Sequence, residues 1–212
     1  MLLYLARHAQ TASSAIDSFN GQRELPLTEH GRAQARLLGQ RLARVRFDAV
    51  YRSPLGRTGE TAALIAPALQ PSILQGLIEI DYGGWEGLSP AAARAADPAR
   101  YDAWVADPAR TSPPGGETAA QVAERALAAL EEMRARHPGD ELVLAVSHKA
   151  TLRVLGAALT GAPVASYRAR WPQDECALNL LEWRAGKEPF LRLWNDTSHL
   201  GPDPATSTRS GK

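Results

Sequence analysis

The feature that most constrains the fold of this chain is an apolar run at residues 2–5, which is followed almost at once by Arg7 and His8. Such a run predicts a buried strand, and open α/β sheets bind their ligands at the carboxyl ends of their strands. The planar guanidinium group of arginine suits a pair of phosphate oxygens, and histidine is a nucleophile or proton carrier near neutral pH. These residues therefore indicate phosphoryl chemistry in which the protein, rather than a metal ion, supplies the positive charge.

Length, charge and cysteine content narrow the possible classes of protein. The 212 residues favour one sizeable α/β domain over two small ones, and the net charge of +1 gives no overall attraction to nucleic acid or to an acidic membrane. Cys176 is the single cysteine, so an internal disulfide is excluded and a reducing cytoplasm is expected. Because neither a signal peptide nor an apolar run of about 18 residues is evident, we expect no membrane partner and a cytoplasmic location.

Strand and helix patterns alternate along the chain. Thr28 is suited to be the N-cap of a first helix, in which apolar residues recur at helical spacing as far as Val45. The segment 78–116, rich in Gly, Pro, Asp and Trp, is predicted to be an excursion with short helices around 91–96 and 101–105. The other predicted elements are strands over 48–51, 72–77, 141–146, 177–183 and 189–194, and helices over 54–68, 118–136 and 149–159. Residues 1–200 are predicted to form one domain and residues 201–212 a disordered tail.

Three of the predicted strands end in polar groups that suit phosphate binding. The first ends at Arg7 and His8, the second leads into the segment 53–57, and the third ends at Ser147 and His148. Because the carboxyl ends of parallel strands lie at one edge of a sheet, these groups are expected to converge on one crevice. The helices or loops that follow also offer free N–H groups to an anion.

Hydrolysis of a phosphate ester also requires a proton for the leaving oxygen, and Glu79 is the best candidate donor. It lies in a short apolar flank, where burial and a nearby phosphate dianion are expected to raise the pKa of its carboxyl group. A raised pKa is what a general acid needs at neutral pH. On sequence grounds Asp81 and Glu86 compete with Glu79 for this role.

Several motifs in this order resemble those of the histidine phosphatase superfamily, in its phosphoglycerate mutase-like branch. The resemblance covers nearly the whole chain before the tail. The motifs are Arg7-His8-Ala9-Gln10-Thr11, the run from Ser53 to Thr61, Glu79 with Gly83-Gly84-Trp85-Glu86-Gly87, and Ser147-His148. The resemblance implies a three-layer α/β/α sandwich with a mostly parallel central sheet. It also implies a reaction that needs no metal ion or other cofactor.

The same resemblance implies roles for individual residues. His8 is expected to form a phosphohistidine, and Glu79 to protonate the leaving oxygen and then to activate water. Arg7, Arg57 and His148 are expected to bind the phosphoryl group. It also implies contacts with phosphate or substrate for Thr11, Asn20 and Gly21. Ser14 is a further candidate for such a contact. Lys149 either contacts the substrate or points into solvent.

The departures from the family pattern favour a phosphatase over a mutase. Mutases hold a carboxylate and a second phosphate with a pair of arginines in the excursion, whereas Arg94, Arg100 and Arg110 are not adjacent here. We therefore expect a metal-independent phosphatase that hydrolyses small phosphomonoesters, with a phosphoglycerate mutase-type isomerase as the alternative. A non-catalytic phosphate-binding module is a third possibility. The expected partner is a small phosphorylated metabolite, and the sequence leaves open whether the protein is a monomer or a homodimer.

Overall fold

The computed structural model of this chain describes residues 1–12, 18–184 and 187–201. Its centre is a six-stranded sheet with the strand order β3-β2-β4-β1-β5-β6. The strands are β1 (Leu2–Arg7), β2 (Ala49–Arg52), β3 (Ser72–Ile73), β4 (Leu142–Ser147), β5 (Leu178–Glu182) and β6 (Phe190–Asp196). The helices are α1 (Glu29–Arg41), α2 (Gly56–Ile65), α3 (Pro90–Ala96), α4 (Pro98–Ala106), α5 (Ala119–Arg136), α6 (Lys149–Leu159) and α7 (Tyr167–Arg170).

The strands that carry the predicted polar groups are parallel neighbours. β4 pairs with β1 on one side and with β2 on the other, and Arg7 is level with Ser147 in the register. β5 and β6 continue the sheet in antiparallel orientation beyond β1. The carboxyl ends of β1, β2 and β4 therefore lie at one edge of the sheet, which confirms the prediction of a mostly parallel sheet.

Helices cover both faces of the sheet because the residues of β4 alternate between two apolar cores. Val143 and Ala145 pack against residues of α5 and α6, whereas Leu144 and Val146 pack against residues of α1 and α2. All four of these side chains are fully buried, as expected for a strand covered on both faces. The three-layer α/β/α arrangement predicted from the sequence is thus confirmed.

Local signals explain where several helices begin. Thr28 caps α1 by accepting a hydrogen bond from the backbone N–H of Gly31 at 2.9 Å, as predicted. Within the excursion, α3 and α4 each begin with a proline that follows a capping residue, Ser89 in one case and Asp97 in the other. These two helices bury Trp104 beside Phe19 and Trp85, so the excursion has an aromatic core of its own.

Some predicted boundaries are wrong. The second helix begins at Gly56 rather than in the turn at Pro54, and the predicted strand over 72–77 is a two-residue strand followed by a 3₁₀ turn over Gln75–Leu77. The short helix α7 was not predicted at all, because four residues are too few to show a helical period. Within the ranges that the structure covers, no helix is both long and apolar enough to cross a bilayer. The single-domain assignment stays a prediction, and the predicted tail lies outside the described residues except for Gly201.

Candidate active site

A cavity of about 390 Å³ lies at the edge of the sheet where β1, β2 and β4 end. Eight of the ten residues predicted to be catalytic or substrate-binding line it: Arg7, His8, Thr11, Asn20, Gly21, Arg57, Glu79 and Lys149. Of the other two, His148 is fully buried beside the cavity rather than on its surface, and Ser14 lies outside the described residues. Side chains that are far apart in the sequence therefore share one crevice, while their roles stay a prediction.

His8 is oriented by its own backbone neighbour. Its ring nitrogen Nδ1 lies 2.8 Å from the carbonyl oxygen of Ala9. Because a carbonyl oxygen only accepts, Nδ1 carries the proton and donates it, which leaves Nε2 with its lone pair in the neutral imidazole. Burial, and then the charges of Arg7 and Arg57, hold the pKa of His8 well below its usual value. The ring is therefore neutral near pH 7, as a nucleophile must be.

His148 lies next to His8, with the two ring centroids 5.1 Å apart. The Nε group of Arg57 donates to Nδ1 of His148 at 3.3 Å, and Nε2 of His148 donates to Oγ of Ser53 at 2.6 Å. Both ring nitrogens thus have protein partners, and burial and the neighbouring His8 hold the pKa of His148 well below its usual value. These partners favour the neutral form of the His148 ring.

The two predicted phosphate-binding arginines differ in how they are held. Arg57 is nearly fully buried and donates from Nη1 to the carbonyl oxygen of Arg23 at 2.7 Å and from Nη2 to that of Gly21 at 2.8 Å. Arg7 donates from Nη1 to the carbonyl oxygen of Gln173 at 2.7 Å, and its buried Nε has no acceptor within the described part of the chain. Each guanidinium group therefore has a fixed orientation and retains donors for an oxyanion.

Glu79 is held by the first turn of α6. Its Oε1 accepts hydrogen bonds from the backbone N–H groups of Ile80 and Thr151 and from Oγ1 of Thr151, at 3.0 to 3.2 Å. Its Oε2 accepts only from the N–H of Ala150, at 3.2 Å, among the hydrogen bonds of the described residues. Oε1 is therefore occupied by donors, and Oε2 is the oxygen with spare capacity for a proton. Asp81 and Glu86 do not line the cavity.

Protein groups already satisfy several of the N–H groups at the helix N-termini near this edge. Glu79 occupies the N-terminus of α6, and Glu24 accepts from the N–H of Gly56 at 3.1 Å at the start of α2. Thr28 caps α1. These particular donors are therefore not available to a bound oxyanion.

Several cavity residues were not found by sequence reasoning. The structure adds Tyr82, Trp104, Arg153, Tyr167 and Arg168 to the lining. Trp104 is the tryptophan among the described lining residues. Trp104 belongs to α4, and Tyr167 and Arg168 belong to α7, so these side chains reach the cavity through tertiary contacts. No motif in the chain marks them in advance.

The arginines of the excursion point elsewhere. Arg94 pairs with Asp102, Arg110 pairs with Asp107, and Arg100 donates to the carbonyl oxygen of Ser112. None of the three lines the cavity. The arrangement that was expected to hold a second phosphate in a mutase is therefore not formed by these residues.

The depressed pKa values of His8 and His148 predict acid sensitivity of the fold. Below about pH 6.5 the unfolded chain takes up protons on these histidines that the folded chain does not bind. The free energy of unfolding is therefore expected to be fully retained above about pH 6.5 and to fall below it, by up to about 1.4 kcal/mol per pH unit for each histidine. Urea denaturation at about pH 7.5 and about pH 5.5 measures this difference.

Two variants identify the source of this acid sensitivity. His8→Ala removes one of the two groups and is expected to reduce the difference by about half. His30→Ala, at an exposed position of α1, is expected to leave it unchanged. An equal pH dependence in wild type and His8→Ala would contradict the assignment.

Comparison with known proteins identifies close relatives of the chain. The model of the histidine phosphatase superfamily (branch 1) matches residues 3–197. Phosphoserine phosphatase 1 of Hydrogenobacter thermophilus is 33% identical over 201 residues, which are 94% of each chain. The metal-independent phosphoserine phosphatase of Arabidopsis thaliana is 32% identical over 93% of this chain and 82% of its own length. A 2,3-bisphosphoglycerate-dependent phosphoglycerate mutase of Methylobacterium is 37% identical over 76% of this chain and 81% of its own length.

The fold is likewise similar to solved structures. Bacillus stearothermophilus YhfR superimposes with a TM-score of 0.87 at 33% identity, over 94% of this chain and 98% of that one. The alpha-ribazole phosphatase of Shigella flexneri superimposes with a TM-score of 0.82 at 31% identity, over 93% and 97% of the two chains. The similarity thus extends over nearly the whole of the three-layer fold.

Proposed function

This chain belongs to the histidine phosphatase superfamily and is a phosphoric monoester hydrolase, and we propose that it acts on small phosphomonoesters through a phosphohistidine on Nε2 of His8. The observation that carries the proposal is the hydrogen bond from Nδ1 of His8 to the carbonyl oxygen of Ala9. This bond leaves Nε2 unprotonated, on a residue that lines the same cavity as Arg7, Arg57 and Glu79.

In the first step, Nε2 of His8 attacks phosphorus. A nitrogen–phosphorus bond forms while the bond from phosphorus to the ester oxygen breaks. The proton on Oε2 of Glu79 passes to the leaving oxygen, so that an alcohol departs. Arg7 and Arg57 stabilise the charge on the equatorial oxygens of the phosphoryl group as it moves.

In the second step, water hydrolyses the phosphohistidine. Oε2 of Glu79, now a carboxylate oxygen, takes a proton from water, and the oxygen of that water attacks phosphorus. The nitrogen–phosphorus bond breaks and inorganic phosphate leaves. His8 returns to its neutral form and Glu79 to its protonated form, so the cycle consumes one water molecule for each ester.

The cations of the cavity support a reaction without a metal ion. Arg7 and Arg57 are positioned by backbone carbonyls and together bring two positive charges to a phosphate dianion. Their fixed geometry supplies the charge stabilisation that a metal ion supplies in other phosphoryl-transfer sites. Hydrolysis is accordingly expected to continue in excess chelator.

The first substrates to test follow from the relatives, among which phosphoserine phosphatases recur. Phosphoserine is a small phosphomonoester and belongs to the class proposed for this chain. We also propose a cytoplasmic location, which the single buried Cys176 supports, and a monomer or homodimer with no nucleic-acid partner.

The mutase-type isomerase is the alternative, since a mutase is among the relatives. It differs in returning the phosphoryl group to a substrate instead of giving it to water. The outward orientation of Arg94, Arg100 and Arg110 favours hydrolysis. Release of inorganic phosphate in the amount of alcohol formed supports the phosphatase, whereas interconversion of phosphoglycerate isomers without phosphate release supports the mutase.

Trapping the intermediate tests the proposed mechanism. The protein is mixed with a ³²P-labelled aryl phosphate, quenched in alkali within one turnover, and digested for peptide mapping. The label is expected on the peptide that contains His8 and is expected to be stable to alkali and labile to acid, as for a phosphoramidate. Label on any other residue, or turnover without label at any quench time, contradicts the proposal.

A further inference from the structure

Three amide side chains form a hydrogen-bonded network between the last two strands of the sheet and the loop that precedes them. They are Gln173 of the loop before β5, Asn179 of β5 and Asn195 of β6. Gln173 and Asn179 are almost completely buried, and the proposed reaction uses none of the three side chains. We name these three side chains the amide network.

Asn179 is the centre of the amide network and uses its full hydrogen-bonding capacity. Its Nδ2 donates to Oε1 of Gln173 and to the carbonyl oxygen of Leu5, both at 3.1 Å. Its Oδ1 accepts from Nε2 of Gln173 at 2.7 Å and from the backbone N–H of Asn195 at 2.8 Å. An amide side chain has two donor hydrogens and two acceptor positions, so all of them are occupied. A buried network in which every group has its partner specifies one geometry.

Asn195 connects the amide network to the loop over 173–177. Its Oδ1 accepts from the backbone N–H of Asp174 at 2.6 Å, and its Nδ2 donates to Oδ2 of Asp174 at 2.8 Å. In the described ranges, the two non-glycine residues with positive φ are Asn195, at 55°, and Cys176, at 56°. This conformation is unfavourable for a non-glycine residue and persists where the surrounding structure enforces it. The loop is therefore held in a conformation that its contacts impose.

This loop contacts Arg7 and His8. The carbonyl oxygen of Gln173 accepts from Nη1 of Arg7 at 2.7 Å, and that of Ala177 accepts from the backbone N–H of Arg7 at 3.1 Å. The N–H of Cys176 donates to the carbonyl oxygen of His8 at 3.4 Å. Within the part of the chain that the structure covers, the Gln173 carbonyl is the sole hydrogen-bond acceptor of the Arg7 guanidinium group. The orientation of that group therefore depends on where the loop is held.

We propose that Gln173 and Asn179 are positioning residues for Arg7, which direct its remaining guanidinium donors to the phosphoryl group. The inference rests on the proposed function, in which Arg7 stabilises charge on the equatorial oxygens. With Nη1 bound to the Gln173 carbonyl, Nε and Nη2 of Arg7 form the edge that suits a pair of phosphate oxygens, and the buried Nε has no acceptor among the described residues. A guanidinium group without this support loses part of its pre-organisation for the transition state.

Double-mutant cycles with Arg7 test this proposal. Gln173→Met keeps the backbone carbonyl and the length of the side chain but removes both hydrogen bonds with Asn179. We expect kcat/KM for p-nitrophenyl phosphate to fall about 10-fold to 100-fold, mostly through kcat, because Arg7 acts on charge that moves in the transition state. In the Arg7→Met background, the same substitution is expected to change kcat/KM by less than about twofold. A wild-type kcat/KM in Gln173→Met, or an equal loss in both backgrounds, overturns the proposal.

Arg57→Met provides the matched control background. The carbonyl partners of Arg57 belong to Gly21 and Arg23, and not to the loop over 173–177. Gln173→Met is therefore expected to keep most of its effect in this background, since Arg7 is still present. Disappearance of the effect in both arginine backgrounds contradicts the assignment to Arg7.

Asn195→Gly tests the same network with a milder change. Asn195 is half-buried, and glycine adopts its positive φ without strain while removing the two side-chain bonds with Asp174. We expect a folded variant whose kcat/KM is several-fold lower, again only when Arg7 is present. Urea denaturation establishes which variants are folded. If Gln173→Met does not fold, the cycle of Asn195→Gly with Arg7→Met decides the proposal, and no loss or an equal loss in both backgrounds overturns it.

Phosphate binding separates this inference from the proposed function. Calorimetric titration of His8→Ala with inorganic phosphate reports the position of Arg7 without turnover. Adding Gln173→Met is expected to weaken this binding several-fold, and to have no effect in protein that also carries Arg7→Met. If the wild type hydrolyses no ester but this coupling appears in binding, only the proposed reaction fails. If p-nitrophenyl phosphate is hydrolysed through a phosphohistidine and neither kinetics nor binding shows the coupling, only the positioning role is wrongly assigned.

Discussion

Replacing His8 by alanine is expected to lower kcat for p-nitrophenyl phosphate by about 10⁴-fold or more. The variant lacks the nitrogen that forms the covalent intermediate, so the remaining cations and Glu79 can only orient water for a direct attack. Such a large loss is typical of an enzyme whose reacting groups act as a unit. The measurement is steady-state release of nitrophenol, with and without excess chelator.

The matched control is His30→Ala, which makes the same change at an exposed position of α1, away from the cavity. This variant is expected to keep the wild-type kcat. Thermal unfolding of both variants establishes that each is folded at the assay temperature. An activity of His8→Ala within about tenfold of wild type would exclude His8 as the nucleophile.

The second large effect is expected for Glu79→Gln, which cannot donate a proton as an acid. For alkyl phosphates, whose leaving oxygen needs that proton, we expect kcat to fall by about 10²-fold to 10⁴-fold. The leaving group of p-nitrophenyl phosphate departs as a stable anion and does not need that proton. For this ester, Glu79→Gln is therefore expected to slow the formation of the phosphohistidine less than it does for alkyl phosphates. The ratio of the two losses is therefore the readout of the proton-transfer role.

A structural effect accompanies this substitution and is measured separately. Glu79 accepts hydrogen bonds from the N–H groups of Ala150 and Thr151, and an amide at this position retains only one acceptor oxygen. The loss of one such bond is expected to lower the free energy of unfolding by about 1 kcal/mol. Asp81→Asn and Glu86→Gln, which change the rival carboxylates, serve as controls and are expected to give equal losses for alkyl and aryl esters. A selective loss for alkyl esters in either control would transfer the proton-transfer role to that residue.

The sequence was most informative where local patterns determine structure. Apolar runs that end in Arg7, in the segment after Arg52, and in Ser147 correctly predicted three parallel strands whose carboxyl ends share one edge. The helix over 149–159 and the capping of α1 by Thr28 were likewise predicted correctly. These features depend on residues close together in the chain, and the arrangement of the candidate site follows from them.

The features that could not be predicted are those that depend on tertiary contacts. Glu79 caps a helix whose first residues lie about 70 positions further along the chain, and nothing in its own segment indicates this contact. Arg168 reaches the cavity from a four-residue helix with no periodic pattern, and the packing of the excursion brings Trp104 to the cavity wall. The partners of His148 likewise come from two other segments of the chain.

The bond between the His8 ring and the Ala9 carbonyl has a consequence for attempts to redirect this protein to other esters. The choice of reacting nitrogen depends on an amide only one residue away, and not on the residues of α6 or α7. Libraries that remodel α7, whose Tyr167 and Arg168 line the cavity, are therefore expected to change which molecules are accepted while the attacking atom stays the same. The attacking nitrogen and the cavity lining from α7 are encoded in separate stretches of the polypeptide, so the lining is open to engineering at little risk to that nitrogen.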